Sequence, residues 1–395
     1  MARTNARLIR FGIFALVLVF CGYILTKGSS NSYNLSKSTT VSPEAQSSAE
    51  TTAPAAPEKK ETTKVFSNSG SKEKATFVSL ARNQDLWELV GSIRQIEDRF
   101  NSKFHYDWVF LNDGEFSEEF KKVTSEVCSG TTKYGQIPKE QWSFPSWIDT
   151  EKAAQVREEM KKNKIIYGDS ISYRHMCRYE SGFFFRHPLL EEYEYYWRVE
   201  PGIKIYCDVD YDVFKFMKDN KKSYGWTISL PEYKETIPTL WKTTKDFLKE
   251  NSQYVADKNL MDWISDDDGG SYNGCHFWSN FEVGSLEFWR SDAYMKYFEF
   301  LDKAGGFFYE RWGDAPIHSI AVALFMPREE VHFFDDIGYF HNPFHNCPID
   351  EAVREKNKCM CAPKDDFSFH SYSCTSKFYD IMGLQKPTGW EKYVQ

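Results

Sequence analysis

Residues 74–113 read KATFVSLARNQDLWELVGSIRQIEDRFNSKFHYDWVFLND, and this stretch decides the fold. Ala75–Leu80 is a β-prone run. Leu86, Leu89, Val90, Ile93, Ile96 and Phe100 then fall on one stripe of a helical period. Tyr106–Asn112 follows as a buried strand that ends in polar residues. Strand, helix and strand at this spacing make a βαβ unit, so the fold class is α/β. Ligands of open α/β sheets gather beyond the carboxyl ends of the strands. That rule directs attention to Arg82-Asn83 and to Asn112-Asp113.

Working towards the C-terminus, strands are predicted at Tyr195–Val199, Ile203–Cys207 and Tyr224–Leu230. Helices are predicted at 151–163, 211–221, 239–249, 291–304 and 314–325. No solenoid-length repeat is visible. The expectation is one α/β head over 74–395, with an irregular C-terminal segment.

Working towards the N-terminus, the texture changes. Arg3, Arg7 and Arg10 precede the uncharged apolar run Phe11–Leu25, and Lys27 follows it. A cleaved signal peptide and a retained anchor are both consistent with that pattern. No clean small-x-small cleavage site follows the run, Thr26-Lys27-Gly28 being a poor one, which favours a signal anchor at 11–26 with a cytosolic tail at 1–10. Basic residues before the span keep the N-terminus cytosolic, giving type II topology. Residues 27–73 are rich in Ser, Thr, Ala, Pro, Lys and Glu. Such a segment buries too little apolar surface to offset its ordering entropy and reads as a flexible lumenal stem. The sequon Asn34-Leu35-Ser36 fits lumenal exposure.

The chain has 395 residues, a net charge of −8 and 17% aromatic residues. That aromatic content requires a folded core, and the acidic balance argues against a nucleic-acid partner. Of nine cysteines, Cys21 lies in the apolar run, which leaves eight in the head. An even count in a lumenal head suits disulfides. Cys347, Cys359, Cys361 and Cys374 crowd the C-terminal segment without a paired C-x-x-C, which disfavours zinc.

Several residues are candidates for chemistry. Trp197-Arg198-Val199-Glu200-Pro201-Gly202 places a carboxylate where a strand meets a turn. Glu200 is either an exposed turn acid or an oxygen ligand for a hard divalent ion. Asp208-Val209-Asp210-Tyr211-Asp212 resembles the start of an EF-hand but has Val213 where Gly is needed. Asp208 or Asp210 could instead cap the helix that follows. Asp266-Asp267-Asp268 before Gly-Gly reads as a solvated loop. In Tyr272–Gly284, Glu282 lies among aromatics and Asn280. It is either a paired core acid or a tuned group that stabilises, or attacks, an oxocarbenium-like sugar carbon. His341 is either structural or a loop metal ligand. No glycine-rich phosphate loop is present, so a bound nucleotide would need a metal and basic side chains.

The stretches SYRHMCRYESGFFFRHPLLEEY, YYWRVEPGIKIYCDVDYDVF, IPTLW, YNGCHFWSNFE and GGFFYERWGDAPIHSIA, then DIGY and NCP, resemble the fungal Golgi alpha-1,2-mannosyltransferases of glycosyltransferase family 15. The resemblance implies a GT-A-like fold with a mixed central sheet flanked by helices. It implies GDP-mannose as donor, Mn²⁺ as cofactor, a mannosylated glycoprotein as acceptor and retained anomeric configuration. Metal contacts would fall on Glu200 and His341, and the nucleophile or oxocarbenium stabiliser on Glu282. Tyr173 would lie close to the reacting sugar, with Arg82, Arg198 and Asp314 in the cleft. Some relatives carry an acid where this chain has Gly202. A mannosylphosphate transferase, a lumenal glycosidase and a mannose-binding lectin are the rival readings; product phosphorus, donor-free hydrolysis or binding without turnover would mark them.

Overall fold

The computed structural model describes residues 70–394. The expected βαβ unit is present. β1 (Ala75–Leu80) leads to α1 (Leu86–Arg99) and then to β2 (Asp107–Asn112). α1 buries Leu86, Leu89, Ile93 and Ile96, the residues of the periodic stripe. Side chains alternate across the strands, as the period of two requires. Phe77, Trp108, Phe110 and Trp197 enter one apolar core. Val78, Val109, Leu111 and Tyr196 enter another on the opposite face. The sheet is therefore a layer between two cores.

Ten more strands complete the sheets: β3 (Thr132–Gln136), β4 (Tyr195–Arg198), β5 (Lys204–Ile205), β6 (Tyr224–Trp226), β7 (Ser229–Pro231), β8 (Cys275–Phe277), β9 (Val283–Ser285), β10 (Val331–Phe333), β11 (Tyr339–His341) and β12 (Phe344–Asn346). The seven-stranded sheet has the order β10-β6-β9-β4-β1-β2-β3. β9 is antiparallel to both its neighbours, while the other described pairs in this sheet are parallel. The sheet is thus mixed, with one reversed strand near its middle. Two small antiparallel sheets, β12-β11-β5 and β7-β8, lie apart from it.

The major helices are α2 (Glu118–Val127), α3 (Thr150–Lys162), α4 (Ile171–Gly182), α5 (Val213–Asp219), α6 (Leu240–Glu250), α7 (Asp292–Ala304) and α8 (Asp314–Phe325). Every residue of α8 from Asp314 to Leu324 is buried. Such a helix belongs inside the core rather than on its surface.

Some expectations are corrected. The strand expected at Tyr224–Leu230 is two, β6 and β7, in different sheets. A side chain at Gly225 would meet the Phe334 ring at 2.3 Å, so the ring packs directly on this backbone. The strand expected at Ile203–Cys207 narrows to Lys204–Ile205. The helix expected at 211–221 is Val213–Asp219, and neither Asp208 nor Asp210 caps it. Asp212 does, accepting from the N–H groups of Phe214 and Lys215 at 3.0 and 3.1 Å. Asp208 and Asp210 instead pair with Arg99 and Lys103. α2, β3 and α4 were not expected.

Three disulfides join Cys207 to Cys359, Cys275 to Cys374, and Cys347 to Cys361. Pairing of all eight head cysteines does not occur, because Cys128 and Cys177 are unbridged. Cys177 is fully buried in the core around α4 and acts there as a small apolar residue. The expected tail, anchor, stem sequon and Cys21 lie outside the described residues. Among the described residues no helix is long and apolar enough to cross a membrane.

α4 and α7 are joined by a buried bidentate pair. Arg178 donates to Asp302 at 2.7 and 2.8 Å. Removing one partner leaves a buried charge unmatched. Asp302→Ala is expected to lose roughly 3–5 kcal/mol in denaturant unfolding, whereas a loss below 1 kcal/mol would show the pair to be energetically idle.

Candidate active site

Strand ends position the site. Arg82 follows β1, Asn112 ends β2, and Arg198 ends β4 two residues before Glu200. Because β9 is reversed, its first residue, Val283, lies opposite Trp197. The N–H of Arg198 donates to the Glu282 carbonyl at 2.8 Å, which brings Glu282 to the same edge. These ends border a cleft of about 460 Å³ whose lining includes Arg82, Asn112, Asp113, Trp142, Tyr173, Arg198 and Glu200.

Arg198 is the hub. Its guanidinium donates to Asp314 at 2.7 Å and to Glu200 at 2.6 Å, and lies 3.7 Å from Glu180. Burial works against its charge, but the surrounding carboxylates outweigh burial and hold it firmly protonated. Asp314 opens α8, where the helix dipole favours a negative charge, and it also accepts from Ser279 at 2.8 Å. Burial pushes the Asp314 carboxyl up; Arg198 and His318 more than reverse this, so it stays below its usual range.

One cation cannot neutralise all these acids, and Glu180 shows the consequence. Its carboxyl is lifted to about 7, chiefly by burial. Arg198 opposes the lift, while the charges on Asp314, Glu200 and Glu282 add to it. Arg198 spends its hydrogen bonds on Asp314 and Glu200, which leaves Glu180 at the longer distance.

Glu200 and His341 converge beside the cleft. Glu200 Oε2 lies 3.3 Å from His341 Nε2. Burial raises the Glu200 carboxyl, but Arg198 and His341 bring it down to about 2. The same carboxylate outweighs burial at His341 and raises its imidazole. The Asn342 carbonyl lies 3.3 Å from Nδ1, and the Trp278 ring stands edge-on at 4.9 Å, so the ring orientation is defined on three sides. A carboxylate oxygen and an imidazole nitrogen at this separation suit one divalent ion, which would replace the proton between them. Among the described residues no set of three or more His, Cys, Asp and Glu side chains forms a cage. The pair therefore fits an ion whose remaining ligands are ligand phosphates and water, the usual arrangement for Mg²⁺-like ions.

Gly202 closes the Glu-Pro turn at φ +83°, and a Cβ there would lie 2.8 Å from Glu88 Oε1. An acid at this position would be strained and would face another carboxylate.

Tyr173 lies in the first turn of α4, whose N-cap Ser170 accepts from the Tyr173 N–H at 3.1 Å. Its hydroxyl accepts from buried Arg311 at 3.0 Å, and Tyr167 stacks on its ring at 4.5 Å. Burial raises its phenol well above the ordinary value. Arg82 sits across the cleft, paired to Asp85 at 3.0 Å.

Glu282 stands behind the cleft wall and is 0% exposed. Tyr196 donates to one oxygen at 3.0 Å; Tyr224 donates to the other at 2.9 Å, where His318 Nδ1 also lies at 2.8 Å. Burial lowers the His318 imidazole, but Glu282 and Asp314 outweigh it and the net shift is upward. Arg198, Glu200, His341 and Asp314 thus form one connected group, with Glu282 bonded to it through backbone. Arg82 and Tyr173 share the cleft but not that network. Sequence reasoning missed Glu180, His318, Tyr196 and Tyr224. One signal was readable: Asp314 and His318 are spaced i,i+4 and face the same side of α8.

The glycolipid 2-alpha-mannosyltransferase profile matches residues 27–383. The chain belongs to this family. Glycolipid 2-alpha-mannosyltransferase 1 of Candida albicans is 58% identical over 426 residues, covering 99% of each chain. Alpha-1,2 mannosyltransferase KTR1 of Saccharomyces cerevisiae is 65% identical over 325 residues, covering 82% of this chain and 83% of its own. Among solved structures, core-mannan synthase A (CmsA/Ktr4) of Aspergillus fumigatus in its Mn/GDP form is 43% identical with a TM-score of 0.75, covering 81% of this chain and 88% of its own. The chain therefore shares with that structure the mixed α/β glycosyltransferase fold described above.

The strained proton balance at Glu180 has a measurable sign. Its folded value of about 7 exceeds the ordinary 4.5. The folded chain thus keeps a proton that the unfolded chain releases, and the associated stability is present below 4.5 and lost as pH rises through 7. Glu180→Gln removes the dependence. Its Tm relative to the wild type is expected to climb by about 2–4 °C between pH 5 and pH 8; a flat or falling difference in differential scanning fluorimetry would contradict it.

Proposed function

We propose that the chain is a GDP-mannose-dependent alpha-1,2-mannosyltransferase that transfers mannose, with retained configuration, to mannose-terminated glycans. The observation that carries this reading is the Arg198–Glu200–His341 arrangement at the carboxyl edge of the sheet, in a chain of this family. The Mn/GDP form of the Aspergillus relative supports a GDP-linked sugar as donor and Mn²⁺ as cofactor. The sheet order and reversed strand support a GT-A-like head.

Glu200 and His341 would hold Mn²⁺ together with donor phosphates, and the ion would supply positive charge against the leaving diphosphate. Arg198 keeps Glu200 ionised and aimed at the cleft. Tyr173 and Arg82 line the walls between which the nucleotide sugar would lie. The C1–O bond to diphosphate breaks while the acceptor hydroxyl oxygen bonds to C1, its proton leaving on a phosphate oxygen. The anomeric carbon becomes oxocarbenium-like on this path. Glu282 contributes a fixed negative charge beneath it. Its donors from Tyr196, Tyr224 and His318 favour that role over covalent attack, which would require leaving them.

The run at 11–26 supports a type II anchor that places the head in the Golgi lumen. The three disulfides fit such an oxidising compartment.

The test is a product assay with the purified full chain, GDP-mannose, Mn²⁺ and methyl α-mannoside. NMR should read an α-1,2-linked dimannoside; free mannose released without donor, or a phosphorus-bearing product, overturns the proposal. Glu200→Ala and His341→Ala should each weaken Mn²⁺ binding by at least about tenfold, read by EPR in the presence of GDP. Wild-type affinity in either variant removes that residue from the metal site. Glu282→Gln should stay folded by near-UV circular dichroism yet lose about 100-fold or more in kcat; undiminished turnover excludes both roles offered for Glu282.

A further inference from the structure

The crowded C-terminal cysteines have no part in the chemistry above, yet they frame a second groove. It has a volume of about 460 Å³ and is lined by Phe344, His345, Lys364, Phe367, His370 and Tyr372, among others. It adjoins the active site through a single hairpin. β11 ends in His341, a tight turn follows at Asn342-Pro343, and β12 begins with Phe344. Trp278 contacts both ends of this turn, with His341 at 4.9 Å and Phe344 at 5.5 Å. Phe344 passes the contact to Phe367 at 4.1 Å, and Phe367 to His370 at 5.5 Å. A chain of aromatic contacts thus runs from beside His341 to the groove.

The walls are locked. Cys347 follows β12 and is bridged to Cys361, three residues before Lys364. Cys374 follows Tyr372 by two residues and is bridged to Cys275 of β8. Between the bridges, buried Asp366 accepts from the N–H groups of Cys347 and Ser368 at 2.9 Å each, and Phe367 donates its N–H to the His345 carbonyl at 2.8 Å. Tyr372 is nonetheless 40% exposed, its hydroxyl reaching the Pro231 carbonyl at 3.3 Å. A rigid groove that leaves an aromatic ring bare is preorganised for a ligand.

A pyranose ring has an apolar C–H face and a rim of hydroxyls. Aromatic rings flanked by Lys364, Asp365 and two imidazoles match both surfaces. We propose that this groove is an extended acceptor subsite, which holds the inner mannose residues of an oligomannoside while its terminal residue is at the reaction centre. The assignment rests on the mannosyl-transfer reading and adds to it a preference for acceptors longer than one sugar. The occupant follows from continuity: the hairpin that presents His341 to the donor side presents Phe344 to the groove.

The experiment compares methyl α-mannoside with α-linked mannotetraose as acceptors for the wild-type chain, Tyr372→Ala, His370→Ala/Tyr372→Ala and Tyr372→Phe. Wild-type KM should be about tenfold lower for mannotetraose, the scale of one or two lost aromatic contacts. The double variant should erase that advantage while its KM for GDP-mannose and for methyl α-mannoside stays within about twofold. Tyr372→Phe keeps the ring and should keep the advantage. A wild-type KM independent of acceptor length, or a double variant that retains the full advantage, overturns the subsite. The parent reading fails separately, if the wild type transfers to neither acceptor; calorimetric titration of mannotetraose into wild type and double variant then decides the groove, equal or absent binding counting against it.

Discussion

The guanidinium of Arg198, buried at the end of β4, faces Glu180, Glu200 and Asp314 within 3.7 Å, with Glu282 close behind. A buried cation demands carboxylates, and buried carboxylates in excess demand further positive charge or protons. The structure satisfies both demands locally. Asp314 sits at a helix N-terminus, Glu282 receives the raised imidazole of His318, and Glu180 holds its proton more tightly than an ordinary carboxyl. What remains is Glu200, held ionised by Arg198 and His341 and partly exposed beside the cleft. The acid left most available is the one best placed to meet an added divalent ion.

Sheet topology makes this cluster possible. Four neighbouring parallel strands alone would bring β1, β2 and β4 ends together but would not supply Glu282. The reversed β9 carries its N-terminal end to that edge, and its pairing with β4 and β6 sets Glu282 between Tyr196 and Tyr224. Side chains alternate along a strand, so Tyr196 faces Glu282 while neighbouring Trp197 packs in the opposite core. A register slip of one residue would replace the phenol with an indole.

The irregular C-terminal segment is part of the same construction. The β11–β12 hairpin bears His341, and its Tyr339 hydroxyl donates to Asn280 at 3.0 Å, in the loop that leads to Glu282. Disulfides tie the chain after this hairpin to β8 and to the residue that follows β12. His341 and Glu282 are thereby fixed relative to one another without a long helix between them.

Local pattern determined the βαβ start and four long helices, α3, α6, α7 and α8, because each depends on residues a few positions apart. Quoted motifs were enough to place the chain beside its family and to single out Glu200, Glu282 and His341. Tertiary structure alone decided that β9 runs backwards, since three residues carry no directional pattern. It also decided which cysteines pair, that Asp212 rather than Asp208 caps α5, and that Glu180 and His318 join the charged cluster. Those outcomes depend on distance and desolvation between groups far apart in the chain. Coulomb coupling and burial are properties of the folded interior, and no local spacing encodes them.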